Sequence, residues 1–170
     1  MILYYVGNEP KLKEAMISFF EEIQAEYQLL SDEDLEQTIE SLLVKTSQKE
    51  KGNRSPYLIM DGYSPGQLES LAKQMHERHL DIGRLAMKTE TNQTWTLSAL
   101  MDEIDEEYAY FQSRDRLYAL LISPDKALLE KDAVYRKTLA MAYSLLEDGQ
   151  AEKEYIDMAI SSIEKMLEHA

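Results

Sequence analysis

The chain predicts an α/β fold: a small, mostly parallel four-stranded sheet flanked by helices, followed by a C-terminal all-helical extension. Three observations predict it. Four short runs rich in aromatic and branched residues alternate with helical patterns, repeating about every 25 to 30 residues, the length that a right-handed crossover between parallel strands needs. Each helical pattern carries a single apolar stripe. After Gln112 the strand-like runs stop and only helical stripes remain. These boundaries give an α/β domain over 1–112 and an extension of two or three helices over 113–170, with an expected strand order of 2-1-3-4.

Ile2-Leu3-Tyr4-Tyr5-Val6 is the first strand, closed by Gly7 and followed by Asn8-Glu9-Pro10, a strand turning into a helix with proline in its first turn. Leu12, Met16, Phe19, Phe20 and Ile23 form that helix's buried stripe. Tyr27-Gln28-Leu29-Leu30 is a weaker strand. Ser31 three residues before Asp34 resembles a capping box, opening a helix striped by Leu35, Ile39, Leu42 and Leu43. From Thr46 to Pro56 the chain is polar and reads as an exposed, mobile loop. Tyr57-Leu58-Ile59-Met60 is the third strand. Asp61-Gly62-Tyr63 turns the chain, and Ser64-Pro65-Gly66-Gln67 combines a serine cap, a proline at the first helical position and a glutamine placed to reach back.

Leu68, Leu71, Ala72 and Met75 supply the buried face of the helix that follows. The fourth strand lies within Leu80 to Met87, centred on Arg84-Leu85-Ala86-Met87. Thr94 or Thr96 then caps a helix striped by Leu97, Leu100, Met101, Ile104, Tyr108 and Phe111. In the extension, Leu117, Leu120 and Leu121 make one segment. Ser123-Pro124 starts a second that Asp148-Gly149 closes, and Ile156, Ala159, Ile160, Ile163 and Leu167 face one way on the last helix. No repeat at a solenoid period is evident.

Charge narrows the partners. The 32 acidic and 18 basic residues leave a net charge of −14, concentrated before residue 113, a field that repels nucleic acid and anionic lipid. There is no cysteine, which removes disulfides, thiol catalysis and thiolate metal sites. The start lacks the basic residues and long apolar stretch of a secretion signal, and no run approaches the roughly 20 apolar residues that span a bilayer. A cytoplasmic protein with neither nucleic-acid nor membrane partners is expected.

One segment reads as a family signature. The apolar run Tyr57 to Met60 with its turn, the Lys88-Thr89 strand exit, Asn92, and Trp95-Thr96-Leu97 leading to Leu100, Glu103 and Glu107-Tyr108 resemble the bacterial domain-of-unknown-function family 3783, from Tyr57 to Phe111. Glu90 stands where that pattern favours proline or a small residue, and Tyr108 where histidine is usual. The resemblance implies a bacterial, cytoplasmic protein and no particular reaction.

Candidate sites follow from the fold. In parallel sheets, ligands sit beyond the carboxyl ends of strands, where neighbouring connections leave to opposite faces. For the expected order this crevice lies between strands one and three, lined by Asn8, Asp61 and Tyr63 with Lys88 beyond. It would serve a small-ligand or divalent-cation sensor, although Glu9, Asp32 and Asp61 at the same mouth disfavour phosphate. Asp61 and Lys88 resemble the layout of a phosphoacceptor receiver domain, but Asn8-Glu9 offers no acidic pair for magnesium. The plain alternative is that Asp61 caps its turn with Gly62.

His76-Glu77-Arg78-His79 has histidines three apart rather than four, and ends a surface helix more simply than it binds zinc. No catalytic, cofactor or metal motif is present. Asp102, Glu103, Asp105, Glu106 and Glu107 form either the solvated side of their helix or a docking surface for a basic partner. Trp95 packs as a staple or serves as a contact residue. Asn92, Trp95, Glu103 and Glu107 are the interaction candidates, and the tyrosines from Tyr57 to Tyr143 suit packing unless some remain exposed. The favoured reading is a non-enzymatic interaction or regulatory module that binds a protein or a second copy of itself, with the sensor as alternative.

Overall fold

The computed structural model describes residues 1–44 and 52–169, so the Thr46 to Pro56 loop expectation lies outside the described residues as far as residue 51. Of the remainder, Asn53 is exposed while Gly52 and Pro56 are buried. The chain divides into two compact units, Met1–Glu106 and Glu107–Ala170.

The first unit contains β1 (Ile2–Tyr5), α1 (Pro10–Glu22), β2 (Tyr27–Leu30), a 3-10 turn at Asp32–Asp34, α2 (Ile39–Leu43), β3 (Tyr57–Met60), α3 (Pro65–Glu77), β4 (Leu85–Met87), a second 3-10 turn at Asn92–Thr94 and the start of α4 (Leu97–Ile122). The sheet order is β2-β1-β3-β4, as expected. β1 is parallel to β2 and β3 to β4.

The central pair is not parallel. β1 and β3 run antiparallel, Ile2 opposite Met60 and Tyr5 opposite Tyr57, so the sheet is mixed. The cause is local. Ser31 and Asp34 do form a capping box, but it closes a 3-10 turn, and the helix begins only after Thr38, whose Oγ1 accepts from the Ser41 amide at 3.4 Å. The resulting five-residue α2 is only about 7 Å long, too short to carry the chain back along a strand, whereas a 13-residue helix spans about 20 Å. α1 and α3, each 13 residues, make the two parallel returns.

Strand alternation splits the core between the sheet's two faces. Ile2, Tyr4, Leu58 and Met60 pack with Met16, Phe19 and Phe20 of α1 and with Leu71 and Met75 of α3. Leu3, Tyr5, Tyr57 and Ile59 pack with Ile39 and Leu42 of α2 and with Leu97, Leu100, Met101 and Ile104 of α4. Pro10 and Pro65 open α1 and α3, and the Ser64/Gln67 capping box forms.

α4 does not stop near Gln112 but continues to Ile122, because Gln112-Ser113-Arg114-Asp115 holds neither glycine nor proline to break it. The second unit thus comprises the rest of α4 with α5 (Lys126–Lys131), α6 (Ala133–Glu147) and α7 (Lys153–Glu168). Asp125 caps α5, and Asp132 caps α6 by accepting from the Val134 and Tyr135 amides, splitting what reads in sequence as one helix. Its core is Leu117, Tyr135, Ala142, Ile156, Ile160 and Ile163.

Candidate functional site

The antiparallel seam separates the residues of the expected crevice. Asp61 sits beside the start of β1, its amide donating to the Met1 carbonyl at 2.9 Å and its carbonyl accepting from the Met1 amino group at 2.9 Å. Asn8 lies past the other end of β1, exposed, a strand length away, on the order of 15 Å. Strands one and three therefore share no carboxyl edge. Asp61 and Lys88 do meet, across the parallel β3–β4 pair, in an ion pair of 3.1 Å. Tyr63 packs partly buried against the α1/α3 face of the core. Among the described residues no group of three His, Cys, Asp or Glu side chains is placed to hold a metal ion.

The interaction candidates divide as well. Asn92 is structural: its side-chain oxygen accepts from the Thr89 amide at 2.7 Å and its side-chain nitrogen donates to the Met87 carbonyl at 3.0 Å, tying β4 to the following turn. Trp95 is half-buried against the α2/α4 face of the core. Glu103 and Glu107 are exposed.

A polar cluster built on the buried Tyr5 and Tyr57 stands at the end of the sheet where β1 finishes and β3 begins, its charged members partly exposed. The Tyr5 and Tyr57 rings meet edge to face, 6.1 Å apart. The Tyr5 hydroxyl donates to the Asp32 carboxylate and accepts from the Arg54 amide at 3.3 Å. The Tyr57 hydroxyl donates to Asp105 at 2.5 Å, and Arg84 Nε donates to the same carboxylate at 2.6 Å. Arg54 reaches Asp102 at 2.7 Å. Burial and the adjoining carboxylates push both tyrosines above the ordinary phenol value. Burial alone would raise Asp105, but the Tyr57 hydroxyl and the Arg84 guanidinium outweigh it and hold its carboxyl below the usual range; the Tyr5 hydroxyl does the same for Asp32. Protonated phenols donating to ionised carboxylates make a latch between the sheet, the 52–54 segment and α4.

Asp32, Asp102 and Asp105 figure in the sequence reading, but their pairing with Tyr5, Tyr57, Arg54 and Arg84 does not. Its signal was the three-residue spacing of Asp102 and Asp105, which puts both on one helical side, with Arg54 and Arg84 each shortly before a strand. The acidic stretch of α4 is thus divided: Asp105 is half-buried against Tyr57 and Arg84, and Asp102 pairs with Arg54 at the surface, while Glu103, Glu106 and Glu107 are exposed.

In Glu107–Ala170 several large apolar side chains are exposed among the charged ones. Phe111, Tyr118 and Ile122 on α4, Val134, Met141 and Tyr143 on α6, and Tyr155, Met158 and Leu167 on α7 are all exposed. A groove of about 430 Å³ runs between α4 and α6, floored by Tyr118, Leu121, Ile122, Tyr143 and Leu146 and rimmed by Arg114, Asp115 and Glu147. Arg114 builds one end: its guanidinium donates to the Leu146 carbonyl and, at 3.3 Å, to the Asp148 carbonyl, satisfying groups that the α6 terminus leaves open. On the other side of α4, the polar groove near Ser113 is lined by side chains already paired with one another, Ser113 with Asp157 at 2.6 Å and Arg116 with Glu164 at 3.0 Å.

Comparison with known proteins places one segment. Residues 56–111 match the family model of a domain of unknown function, DUF3783. This segment is similar to the DUF3783 domain. It covers a third of the chain, from β3 through α3 and β4 into α4, and so takes in two of the four strands. No curated protein and no solved structure matches the chain. Among the described residues no helix is long and apolar enough to cross a membrane.

Proposed function

We propose that this chain is a non-enzymatic protein-interaction or regulatory module, bacterial and cytoplasmic, whose helical unit docks against a protein surface through the α4/α6 groove. The observation that carries the reading is the concentration of exposed large apolar side chains in the helical unit, three of which, Tyr118, Ile122 and Tyr143, line the groove. Among the described residues nine lie in Glu107–Ala170 and one, Val44, in Met1–Glu106. Exposed apolar patches of this kind mark contact surfaces.

Charge favours a second copy of the chain as the occupant. Residues 107–170 carry 12 acidic and 8 basic side chains against 20 and 10 in residues 1–106, so the helical unit is the part that resists self-approach least. Tyr118, Ile122 and Tyr143 are each about half exposed. Covering the rest of them contributes about 2–5 kcal/mol, below the roughly 4–15 kcal/mol that association costs. The contact therefore has to extend onto exposed apolar side chains of the same helical stripe, such as Phe111, two turns before Tyr118 on α4.

Sedimentation velocity on the full chain, from micromolar to sub-millimolar concentration, tests this. The expected result is a reversible dimer that Tyr118→Asp with Ile122→Asp converts to monomer without change in helical content. A chain that stays monomeric throughout, and whose position 118 carrying a photo-crosslinker captures neither itself nor one partner in cells, overturns the reading.

A further inference from the structure

We infer that residues 2–43 repeat the fold of the DUF3783 segment, so that the sheet unit is two copies of one β-α-β-turn-helix half, joined side by side about a local two-fold axis. The seam formed by β3 and Trp95-Thr96-Leu97 is then an interface for another copy of the same half, supplied here by the chain itself.

The elements recur in one order, β1-α1-β2-turn-α2 and β3-α3-β4-turn-α4, and their details recur with them. Gly7 and Gly62, with φ of 64° and 75°, turn each first strand toward its helix, a conformation that favours glycine. Each helix starts on a proline, Pro10 or Pro65, and runs 13 residues. Each is followed by a left-handed residue, Gln24 at 55° and His79 at 57°, the two positive-φ non-glycine residues among those described. The chain then reverses through the same bond, Ala25 amide to Phe20 carbonyl and Leu80 amide to Met75 carbonyl, both 2.9 Å.

From the second strand of each half onward, equivalent residues stand 58 positions apart without a gap, as Thr38 does from Thr96. The Ser31 amide donates to the Asp34 side chain and the Thr89 amide to that of Asn92. Gln37 donates to the Asp34 carbonyl at 3.0 Å and Trp95 to the Asn92 carbonyl at 3.1 Å. Thr38 caps Ser41 and Thr96 caps Ala99. None of these turn bonds is demanded by a β-α-β unit as such.

The seam has the reciprocity of a two-fold contact, in which residue i meets j and the equivalents meet in reverse. Thr38 bridges Thr96, its own counterpart. The Ile39 amide donates to the Trp95 carbonyl at 3.1 Å, and the Leu97 amide to the Gln37 carbonyl at 2.9 Å. Leu3 lies opposite Ile59 on the antiparallel pair. The repeat is hidden from a fixed-period search because equivalents are 55 apart in the helices and 58 apart afterwards, as Pro10/Pro65 and Thr38/Thr96 show.

The test grafts the second half's seam onto the first in the full-length chain, replacing residues 34–43 with the sequence of residues 92–101, beside a control carrying those ten residues in reverse order. The repeat predicts that the graft unfolds cooperatively with a midpoint within about 10 °C of the parent, while the reversed control loses that transition. In the unaltered chain, the Ile39 and Leu97 amides should show hydrogen-exchange protection matched to within about tenfold, because each opens only when the seam does. A graft that behaves like the reversed control, or one of the two amides exchanging freely while the other is protected, overturns the inference.

Discussion

Among the described residues of Met1–Glu106 the large apolar side chains other than Val44 are covered on the two faces of a sheet, and the polar groups at one end of that sheet are paired with one another; in Glu107–Ala170 a small core of Leu117, Tyr135 and three isoleucines leaves nine described large apolar side chains open. The difference teaches how the work is shared. A unit whose apolar surface is internally satisfied has little left to offer a partner, and its tyrosine-carboxylate latch spends its hydrogen-bonding capacity on holding the 52–54 segment and α4. A unit that folds around a narrow core and keeps Tyr118, Ile122 and Tyr143 in water carries an unspent driving force for contact.

The sharpest way to break this contrast is truncation in each unit. Leu42→Ala, at a fully buried position, is expected to cost about 2–5 kcal/mol in urea unfolding, whereas Met141→Ala, at a position 63% exposed, should stay within about 0.5 kcal/mol at concentrations where the chain is monomeric. Comparable losses at both positions would erase the distinction between a closed unit and an open one.

The latch is tested by Tyr57→Phe, expected to cost about 1–2 kcal/mol, since the lost bond is to a charged but partly exposed carboxylate. The Asp105 carboxyl, observed by NMR, should move up toward its ordinary value at the same time. A stability loss with Asp105 unmoved would assign the effect to packing alone.

The same groups set the pH limits of the sheet unit. Asp105 and Asp32 bind protons less tightly when folded, so their contribution is complete above the ordinary carboxylate range near 4 and fades as pH falls through their lowered folded values. Tyr5 and Tyr57 bind protons more tightly when folded, so their contribution is complete below about pH 10 and fades as pH rises through their raised values. Melting temperature should be flat between these windows, and Asp105→Asn should shallow the acid limb. An unchanged acid limb in that variant would remove Asp105 from the latch.

The smallest effect belongs to Tyr4, whose hydroxyl is buried with no partner among the described residues and whose ionisation burial suppresses. Tyr4→Phe is expected to leave stability unchanged or raise it by up to about 1 kcal/mol, because it removes an unsatisfied group and keeps the ring against Phe20. A loss in thermal unfolding would mean the hydroxyl has a partner after all.

Much of this fold is legible in the chain, for reasons that can be named. Pro10, the Ser64/Gln67 box and the aromatic runs at Ile2 and Tyr57 act locally, so element type and even strand order follow from them. Strand direction does not. The Ser31/Asp34 box looks the same whether it opens an α-helix or a 3-10 turn, and only the true length of α2 distinguishes a chain that returns from one that does not. That one ambiguity made strands one and three look parallel, and with them the Asn8/Asp61 crevice. The latch is hidden differently: Arg54 reads as part of an exposed loop and Arg84 as a strand residue until the antiparallel seam brings Tyr5 and Tyr57 to one end of the sheet. The DUF3783 resemblance over Tyr57 to Phe111 is legible because Lys88-Thr89, Asn92 and Trp95-Thr96-Leu97 lie close together along the chain, and residues 56–111 match that family's model.

Hydrogen–deuterium exchange on the full chain at rising concentration tests the central claim most directly. If the helical unit carries the interface, segments 114–122 and 141–147 gain protection as concentration increases while β1 to β4 stay unchanged. Added protection confined to the sheet, with the α4/α6 groove exchanging at one rate throughout, would contradict it.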